Sequence, residues 1–273
     1  MRADFRENNQ IRPLESDNGF MPQVDGSGRF SIGNTSVVAS VLGPASPKFS
    51  HQDTFSGGIL DVRFQPSSGR STPYTLSLEV ELHQLLSSVV LLEAYPHDMS
   101  SIVVQEGMDD GSLFPCCVHA CILALIDANI EMKAILAGVT IAVPLSAISD
   151  RENEEEGEEE DTPEISSRVF VDPTFTEEHT SQTGLFTAFF VSSTSSSTTN
   201  SSTTNTTSTT MNKRLQSVYH TYTGVPSLSS SQFTEMMQVA KSSSSIFHAY
   251  FLRFLEAQFK AESLVHGLIE EQL

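Results

Sequence analysis

The densest group of metal-binding residue types in this sequence is a run of three cysteines and one histidine: Cys116, Cys117, His119 and Cys121. Thiolates and imidazoles are the usual ligands of structural zinc. On a helix, however, Cys117 and Cys121 share one face and Cys116 and His119 share another, so all four cannot reach a single ion. Their neighbours are apolar (CCVHACILALI), and free cysteine packs as a small hydrophobe. We therefore expect core residues here and no metal site.

A second group offers carboxylates. Asp172, Glu177 and Glu178 lie close together in the sequence, with His179 beside them. Paired carboxylates can serve acid–base catalysis or metal binding. The alternative, which we prefer on sequence grounds, is a solvated loop between two strands.

Glycine-rich motifs indicate no further site. The chain contains no G-x-S-x-G nucleophile motif, no Walker loop and no G-x-G-x-x-G. The short run Gly26-Ser27-Gly28 is explained by a turn.

Strands and helices alternate along the chain. The pattern predicts strands at Arg29 to Val41 (a hairpin broken at Gly33), Gly58 to Phe64, Ile102 to Gln105, Ile135 to Val143, Val169 to Asp172 and Leu185 to Val191. It predicts helices over Pro73 to Ala94, from Pro115 to about Ala128, and from about Ser231 onward, the first ended by Tyr95-Pro96. This alternation predicts an α/β (α+β) two-layer sandwich.

Composition limits the classes of function. The chain has 273 residues, 38% hydrophobic and 18% charged, with a formal net charge of -19. That balance argues against a protein that by itself holds polyanions on a broad basic face. The first residues (MRADFRENNQ) lack the apolar stretch of a signal peptide, and no run approaches the roughly 18 apolar residues of a membrane span. The clustered cysteines favour a reducing, intracellular compartment.

Two segments have compositions typical of disorder. Residues 150–164 begin with nine acidic residues and one arginine between Asp150 and Asp161, and residues 192–212 are almost entirely Ser, Thr and Asn. Neither has the apolar surface that packing requires. We interpret both as surface insertions within a single domain spanning residues 1–273. Linkers between separate domains are the alternative.

Five motifs in order along the chain resemble those of the RNase PH family of phosphorolytic 3′-to-5′ exoribonucleases. They are Asn9 to Glu15 (NQIRPLE), Gly28 to Pro44 (GRFSIGNTSVVASVLGP), Tyr95-Pro96, Asp109 to Met132 (DDGSLFPCCVHACILALIDANIEM) and Val169 to His179 (VFVDPTFTEEH). The resemblance implies a fold like ribosomal protein S5 domain 2 and assembly into a six-membered ring.

The resemblance also indicates where a phosphorolytic site would lie. In active members, small residues and an arginine at the start of a helix hold phosphate, and a carboxylate six residues after the Glu178 position assists the reaction. Here Gly111 and Ser112 match the phosphate loop, but Leu113 stands at the arginine position and Gly184 at the carboxylate position. Leucine cannot form the bidentate contacts of a guanidinium, so the catalytic positions are interpreted as vestigial.

The RNA-binding arginines of the family are also reduced. Active members carry several in the segment that matches Gln65 to Thr72, where this chain keeps only Arg70. The basic residue that usually follows Tyr95-Pro96 is His97. Arg70 is therefore the single candidate RNA contact.

An inactive, acidic chain of this family resembles the ring subunits of the eukaryotic RNA exosome. The resemblance implies partnership with other RNase PH-like subunits, S1/KH cap subunits, a separate hydrolytic nuclease subunit and single-stranded RNA in the assembled channel. It implies the nucleus, nucleolus and cytoplasm as locations, with no cofactor and no membrane contact. Two alternatives stay open: an active phosphate-dependent 3′-to-5′ exoribonuclease, and a homo-oligomeric nucleic-acid-binding module outside any exosome.

Overall fold

The computed structural model describes residues 2, 4–46, 57–144, 169–179, 183–195, 212–223 and 230–270. The strands are β1 (Leu14–Asn18), β2 (Gly26–Ile32), β3 (Thr35–Ala45), β4 (Ile59–Gln65), β5 (Met99–Met108), β6 (Leu136–Pro144), β7 (Phe170–Val171), β8 (Thr183–Ser195) and β9 (Asn212–Thr223). The helices are α1 (Pro73–Val89), α2 (Leu113–Asp127), α3 (Phe175–Glu178) and α4 (Ser230–Glu270), with a 3-10 turn at Leu92–Ala94. This mixture of elements confirms the expected α/β class.

The first sheet has five strands in the order β1-β2-β3-β5-β4. All its pairs are antiparallel except β4 with β5. Strands β2 and β3 form the hairpin predicted between Arg29 and Val41, and Phe30 pairs with Val37 across it. The turn uses Gly33 at a φ of +58°, a conformation that glycine adopts without steric cost.

Helix α1 covers the outer edge of β4. The amide of Phe64 donates to Oε2 of Glu79 at 2.9 Å. Nearer the start of the strand, Nε2 of His83 lies 3.1 Å from the carbonyl oxygen of Leu60. Two backbone groups that could otherwise pair with a strand of another molecule are thus satisfied inside the domain.

The second sheet has four strands in the order β7-β6-β8-β9, all antiparallel. The acidic segment 150–164 lies outside the described residues. Of the segment 192–212, residues 196–211 also lie outside them. At its two ends, the predicted boundaries are wrong, because Ser192–Ser195 and Asn212 continue β8 and β9 and pair with the opposite strand. Ladder hydrogen bonds come from the backbone, so strands can extend into residues with polar side chains.

Helix α2 lies between the two sheets and contacts β2, β3 and β6. Cys116, Cys117, His119 and Cys121 are all fully buried in it, as expected for core residues. Burial raises the pKa of all three thiols, which keeps them protonated.

The imidazole of His119 is part of this core. Its Nε2 accepts a hydrogen bond from the amide of Gly138 at 3.0 Å, which joins α2 to β6. The rings of Phe30 and Phe247 have centroids 4.8 Å and 5.0 Å from the imidazole centroid. Burial lowers the pKa of His119 to about 3, so the ring is neutral and acts as a hydrogen-bonded core side chain.

The glycines at Gly26 and Gly28 belong to strand β2, so the turn predicted there is wrong. Helix α2 packs directly on the backbone of this strand. A Cβ added at Gly28 would lie 2.5 Å from the carbonyl oxygen of Ala120 and 2.6 Å from the amide nitrogen of Ala124. The glycines therefore permit close approach of helix and strand, which local sequence does not reveal.

Helix α1 ends earlier than the predicted Ala94. Val90 adopts an extended conformation and forms a β-bridge with Met132. The amide of Leu91 donates to the carbonyl oxygen of Glu131 at 3.0 Å. Pairing with this distant segment, rather than Tyr95-Pro96, ends the helix.

Helix α4 fastens the two sheets together on one side. The ring of Phe251 stacks on Phe30 of the first sheet at 5.6 Å between centroids. Oγ of Ser244 donates to the carbonyl oxygen of Ala137 in the second sheet at 3.1 Å.

Neither this helix nor the others in the described ranges combines the length and apolar character needed to cross a membrane.

The close approach of β2 and α2 makes Gly28 sensitive to substitution. We expect Gly28→Ala to lower the free energy of unfolding by about 1–3 kcal/mol, because the added methyl group displaces the helix backbone. The matched control is Gly57→Ala, where the nearest atom to the added Cβ is 3.5 Å away and the change should stay within about 0.5 kcal/mol. Urea unfolding followed by circular dichroism measures both, and equal effects of the two substitutions would contradict the packing account.

Candidate functional site

A buried ion pair organises the region around the start of α2. Nη2 of Arg12 lies 2.7 Å from Oδ1 of Asp172, and Nε lies 2.9 Å from Oδ2. Arg12 is 7% exposed and Asp172 is 1% exposed. Burial favours a higher pKa for Asp172, but the hydrogen bonds and charge of Arg12 outweigh it and hold that pKa below its ordinary value. Asp172 is therefore a structural anion that stays ionised.

The same guanidinium holds the loop before α2. Arg12 donates through Nη1 to the carbonyl oxygen of Asp110 at 2.7 Å and through Nη2 to that of Gly111 at 3.1 Å. Gly111 has a φ of +89°, and a Cβ there would lie 2.4 Å from the carbonyl oxygen of Pro173. The loop before α2 thus packs backbone to backbone against the segment that follows β7.

Helix α3 is fixed by a second arginine. Arg2 donates to both carboxylate oxygens of Glu177, at 2.9 Å through Nε and 2.7 Å through Nη2. It also donates to the carbonyl oxygens of Val171 and Asp172, each at 2.8 Å. The amide of Thr174 donates to Glu177 as well, which caps the single turn of α3.

Glu178, next along α3, contacts the start of α2. The amide nitrogen of Ser112 donates to its Oε1 at 2.6 Å. Burial raises the pKa of Glu178 to about 7, and the nearby Asp109 adds to the rise, while the Ser112 amide and Arg12 oppose it. The structure therefore brings together Gly111, Ser112 and Glu178, three residues that the sequence singled out.

A cleft of about 140 Å³ opens beside this contact. Its lining comes from α1, the start of α2, α3 and three strands of the second sheet: Tyr74, Ser77, Leu78, Glu81, Leu113, Phe114, Thr140, Glu178, Leu185, Thr187 and Thr221. Two of these residues carry carboxylates, and none of the described lining residues is Lys, Arg or His. The cleft is smaller than the roughly 300–1,000 Å³ of typical ligand pockets.

Three threonines lie side by side along the cleft. Thr140, Thr187 and Thr221 are in register across β6, β8 and β9, and the hydroxyls of Thr140 and Thr187 are 3.1 Å apart. Gly184 lies one residue before the cleft-lining Leu185 and has no side chain to contribute. This hydroxyl row was not singled out from the sequence, because strand β9 was not predicted.

Two other candidates lie apart from the cleft lining. Arg70 is exposed in the loop between β4 and α1. His97 is exposed after the 3-10 turn, at a φ of +70°.

The solvated loop preferred for Asp172, Glu177 and Glu178 is wrong. Each carboxylate has a specific partner: Arg12, Arg2 and the Ser112 amide, respectively. Sequence reasoning missed both arginines because they lie more than a hundred residues away along the chain. The Arg-Pro pair in the first matched motif was the one available signal.

Breaking the Arg12–Asp172 pair should unfold this region. We expect Asp172→Asn to lower the free energy of unfolding by about 3–5 kcal/mol, because Arg12 loses its buried counterion and keeps only the partly exposed carboxylate of Asp110 at 3.7 Å. Since the folded-state pKa of Asp172 lies below the unfolded value, the pair stabilises the fold above about pH 4, and that stability is lost as the pH falls further.

Thermal unfolding of both proteins across this pH range measures the effect. The difference in melting temperature between the wild type and Asp172→Asn should become smaller below about pH 4. The control is Asp61→Asn, which breaks the exposed 3.1 Å pair with Arg63 and should cost less than about 1 kcal/mol. A loss of unfolding free energy in Asp172→Asn no larger than the loss in Asp61→Asn would contradict the stabilising role of the buried pair.

Comparison with known proteins agrees with the four motifs that lie between Asn9 and Met132. Residues 10–131 match the model of the 3′ exoribonuclease family, domain 1 (RNase PH). The exosome complex exonuclease RRP46 homolog of Arabidopsis thaliana is 32% identical over 138 residues, which are 50% of this chain and 57% of that protein. The exosome complex component RRP46 of Saccharomyces cerevisiae is 29% identical over 137 residues, 48% and 61% of the two chains. The matched region thus spans less than two thirds of these relatives.

Solved structures show the same fold over more of the chain. The crystal structure of rice (Oryza sativa) Rrp46 superposes with a TM-score of 0.69 at 22% identity, covering 91% of this chain and 97% of that one. The Archaeoglobus fulgidus exosome with RNA bound to the active site gives a TM-score of 0.65 at 17% identity, covering 92% of each chain.

The names of the relatives bear on one further expectation. The stretch from Cys116 to Val143 predicts similarity to ribosomal-RNA-processing protein 46, with the mRNA-transport-regulator type as the alternative, and the RRP46 relatives agree with the first. The resemblance inferred from the motifs is confirmed over residues 10–131, which match the model of the RNase PH family.

Proposed function

We propose that this chain is a non-catalytic structural subunit of an RNA exosome core ring. Its relatives in plants and yeast are named as exosome components, which supports the assembly. In that ring the chain would support 3′-to-5′ RNA processing and degradation, including rRNA maturation and mRNA turnover, by forming part of an RNA channel.

The observation that carries the non-catalytic role is the chemistry of the cleft at the start of α2. A phosphate there would need a cation beside the helix amides, but Leu113 is 5% exposed and apolar. Glu81 and Glu178 line the cleft instead, and the described lining residues include no cation. Gly184 leaves the second carboxylate position without a side chain. This arrangement favours neither phosphate binding nor phosphorolysis.

The partners follow from the proposed assembly. They are other RNase PH-like subunits, S1/KH cap subunits, a separate hydrolytic nuclease subunit and single-stranded RNA, with the nucleus, nucleolus and cytoplasm as locations. Arg70, exposed in the loop between β4 and α1, is the proposed RNA contact. The chain needs no cofactor for this role.

One observation favours the second candidate, an active phosphate-dependent exoribonuclease. Glu178 lies in the cleft with its pKa raised to about 7, a value suited to general acid–base catalysis at neutral pH. It would still act without the arginine and without a second carboxylate at Gly184. Removing one preorganised charge contact commonly lowers a rate about a hundredfold or more, so we retain the non-catalytic role as the conclusion.

Assembly and RNA contact can be tested in one purification. We expect the tagged chain, isolated from its native cell, to carry other RNase PH-like chains and cap subunits in stoichiometric amounts. We expect Arg70→Glu to keep this assembly but to reduce crosslinking of single-stranded RNA to the channel, because a carboxylate repels the phosphate backbone.

The matched control is Arg29→Glu, which reverses an exposed arginine of β2. It should leave both readouts unchanged. Recovery of the chain alone, or as a homo-oligomer, would contradict the ring subunit, and unchanged crosslinking of Arg70→Glu would contradict the RNA contact.

Catalysis can be tested on the pure chain. We expect no phosphate-dependent release of nucleoside diphosphates from single-stranded RNA. The reason is that none of the described residues lining the cleft carries a positive charge to bind the attacking phosphate. Thin-layer chromatography of the products with and without phosphate measures the release. Phosphate-dependent release that disappears in Glu178→Gln would establish the second candidate instead.

A further inference from the structure

The most exposed large hydrophobic side chain in the described part of the chain is that of Phe5, which is 83% exposed. Its backbone has a φ of +59°, in the left-handed region. For a bulky residue this conformation is a steric outlier, because the Cβ lies too close to the following carbonyl oxygen. A single exposed hydrophobic residue needs no explanation, but one in a strained conformation indicates a candidate functional site.

Two arginines hold the turn that carries Phe5. The amide of Phe5 donates to the carbonyl oxygen of Arg2 at 3.2 Å. Arg2 and Arg6 both donate through Nη2 to the carbonyl oxygen of Asp172, at 2.8 Å and 3.2 Å. Arg6 also forms an ion pair with Asp4. The backbone on both sides of Phe5 is therefore anchored to the domain, while the ring itself is left in solvent.

The charged side chains beside Phe5 differ in exposure. The side chains of Arg2 and Arg6 are 0% and 10% exposed, so both cations are turned into the domain. Asp4 and Glu7, in contrast, are exposed. The surface around Phe5 is thus an aromatic ring with carboxylates beside it. Protein interfaces commonly combine a desolvated aromatic residue at the centre with complementary charges at the rim.

We propose that Phe5 is an anchor residue for a neighbouring protein chain, which receives the ring in an apolar pocket rimmed by lysine or arginine side chains. The inference rests on the proposed function, because the neighbour would be another subunit of the same assembly. RNA fits this surface less well. A base stacked on Phe5 would place its phosphates beside Asp4 and Glu7, whereas binding of the phosphate backbone requires exposed cations.

Substitutions of Phe5 separate a role in binding from a role in folding. The tagged full chain is purified from its native cell, and the co-eluting RNase PH-like chains are quantified by mass spectrometry during continued washing. We expect at least one of them to dissociate about tenfold faster or more from Phe5→Ala, because truncation of an anchor residue commonly weakens binding by that factor. Phe5→Gly should show the same loss. Glycine accepts the left-handed conformation, so the isolated Phe5→Gly chain should melt at no lower temperature than the wild type.

The matched control is Phe259→Ala, which removes another exposed aromatic ring, 64% exposed on helix α4. It should leave the dissociation rate unchanged. An equal acceleration in Phe259→Ala and Phe5→Ala would overturn the proposal, since loss of any exposed ring would then have the same effect. Wild-type retention of every RNase PH-like chain by a folded Phe5→Gly variant would overturn it as well.

A photoreactive analogue identifies what contacts the ring. The amino acid p-benzoylphenylalanine replaces Phe5 in the full chain, the purified assembly is irradiated, and the crosslinked products are mapped by mass spectrometry. We expect a crosslink to one neighbouring protein chain, at an apolar segment that has lysine or arginine beside it. A crosslink to RNA, or no crosslink to protein, would overturn the proposal.

Failure of the anchor role is distinguishable from failure of the proposed function. If the wild type carries no RNase PH-like chains, the ring subunit is contradicted and the anchor role with it. If the wild type carries them, but the Phe5 variants retain them equally and position 5 gives no crosslink to protein, only the anchor role is contradicted.

Discussion

The buried pair between Arg12 and Asp172 is the interaction on which the candidate site depends. It joins residues 160 positions apart in the chain, and the same guanidinium also binds the carbonyl oxygens of Asp110 and Gly111. A buried charge pair is stable only when its remaining hydrogen-bonding groups are satisfied, and this one meets the requirement through backbone partners. The loop before α2 and the segment after β7 are consequently held as one unit. Glu178 can reach the Ser112 amide because of that arrangement.

Helix α2 provides the second constraint. Lying between the two sheets, it can approach β2 closely only because Gly26 and Gly28 lack side chains. Its first residues emerge at the cleft, so the packing of the core sets the position of the helix amides. The same core encloses the neutral imidazole of His119, which accepts a hydrogen bond from the amide of Gly138. A run that looked like a set of metal ligands is thus part of the structural support for the site.

Structural elements with a local sequence signal were predicted correctly, and features set by distant contacts were not. The β2–β3 hairpin, strands β4 to β6 and helix α2 follow from alternation, apolar runs and turn residues that are adjacent in the sequence. The early end of α1 and the glycines of β2 depend on contacts with distant segments, and they were predicted incorrectly. Gly111 and Ser112 were recognised through a motif, whereas the partners of Asp172 and Glu177 were not, because no local pattern pairs them with Arg12 and Arg2. Strand β9 carries mostly polar residues and gave no apolar alternation to detect.

The cover that α1 places on β4 has a consequence for how the chain folds. An edge strand whose pairing partner lies far away in the sequence stays unpaired early in folding, and an unpaired strand edge promotes aggregation. Here Glu79 and His83 belong to the helix that directly follows the strand, so the cover arises from contacts close in sequence, which form quickly. Pairing of β4 with β5 requires closure of a longer loop and comes at a greater entropic cost. Cover by the adjacent helix therefore opposes edge-to-edge association of β4.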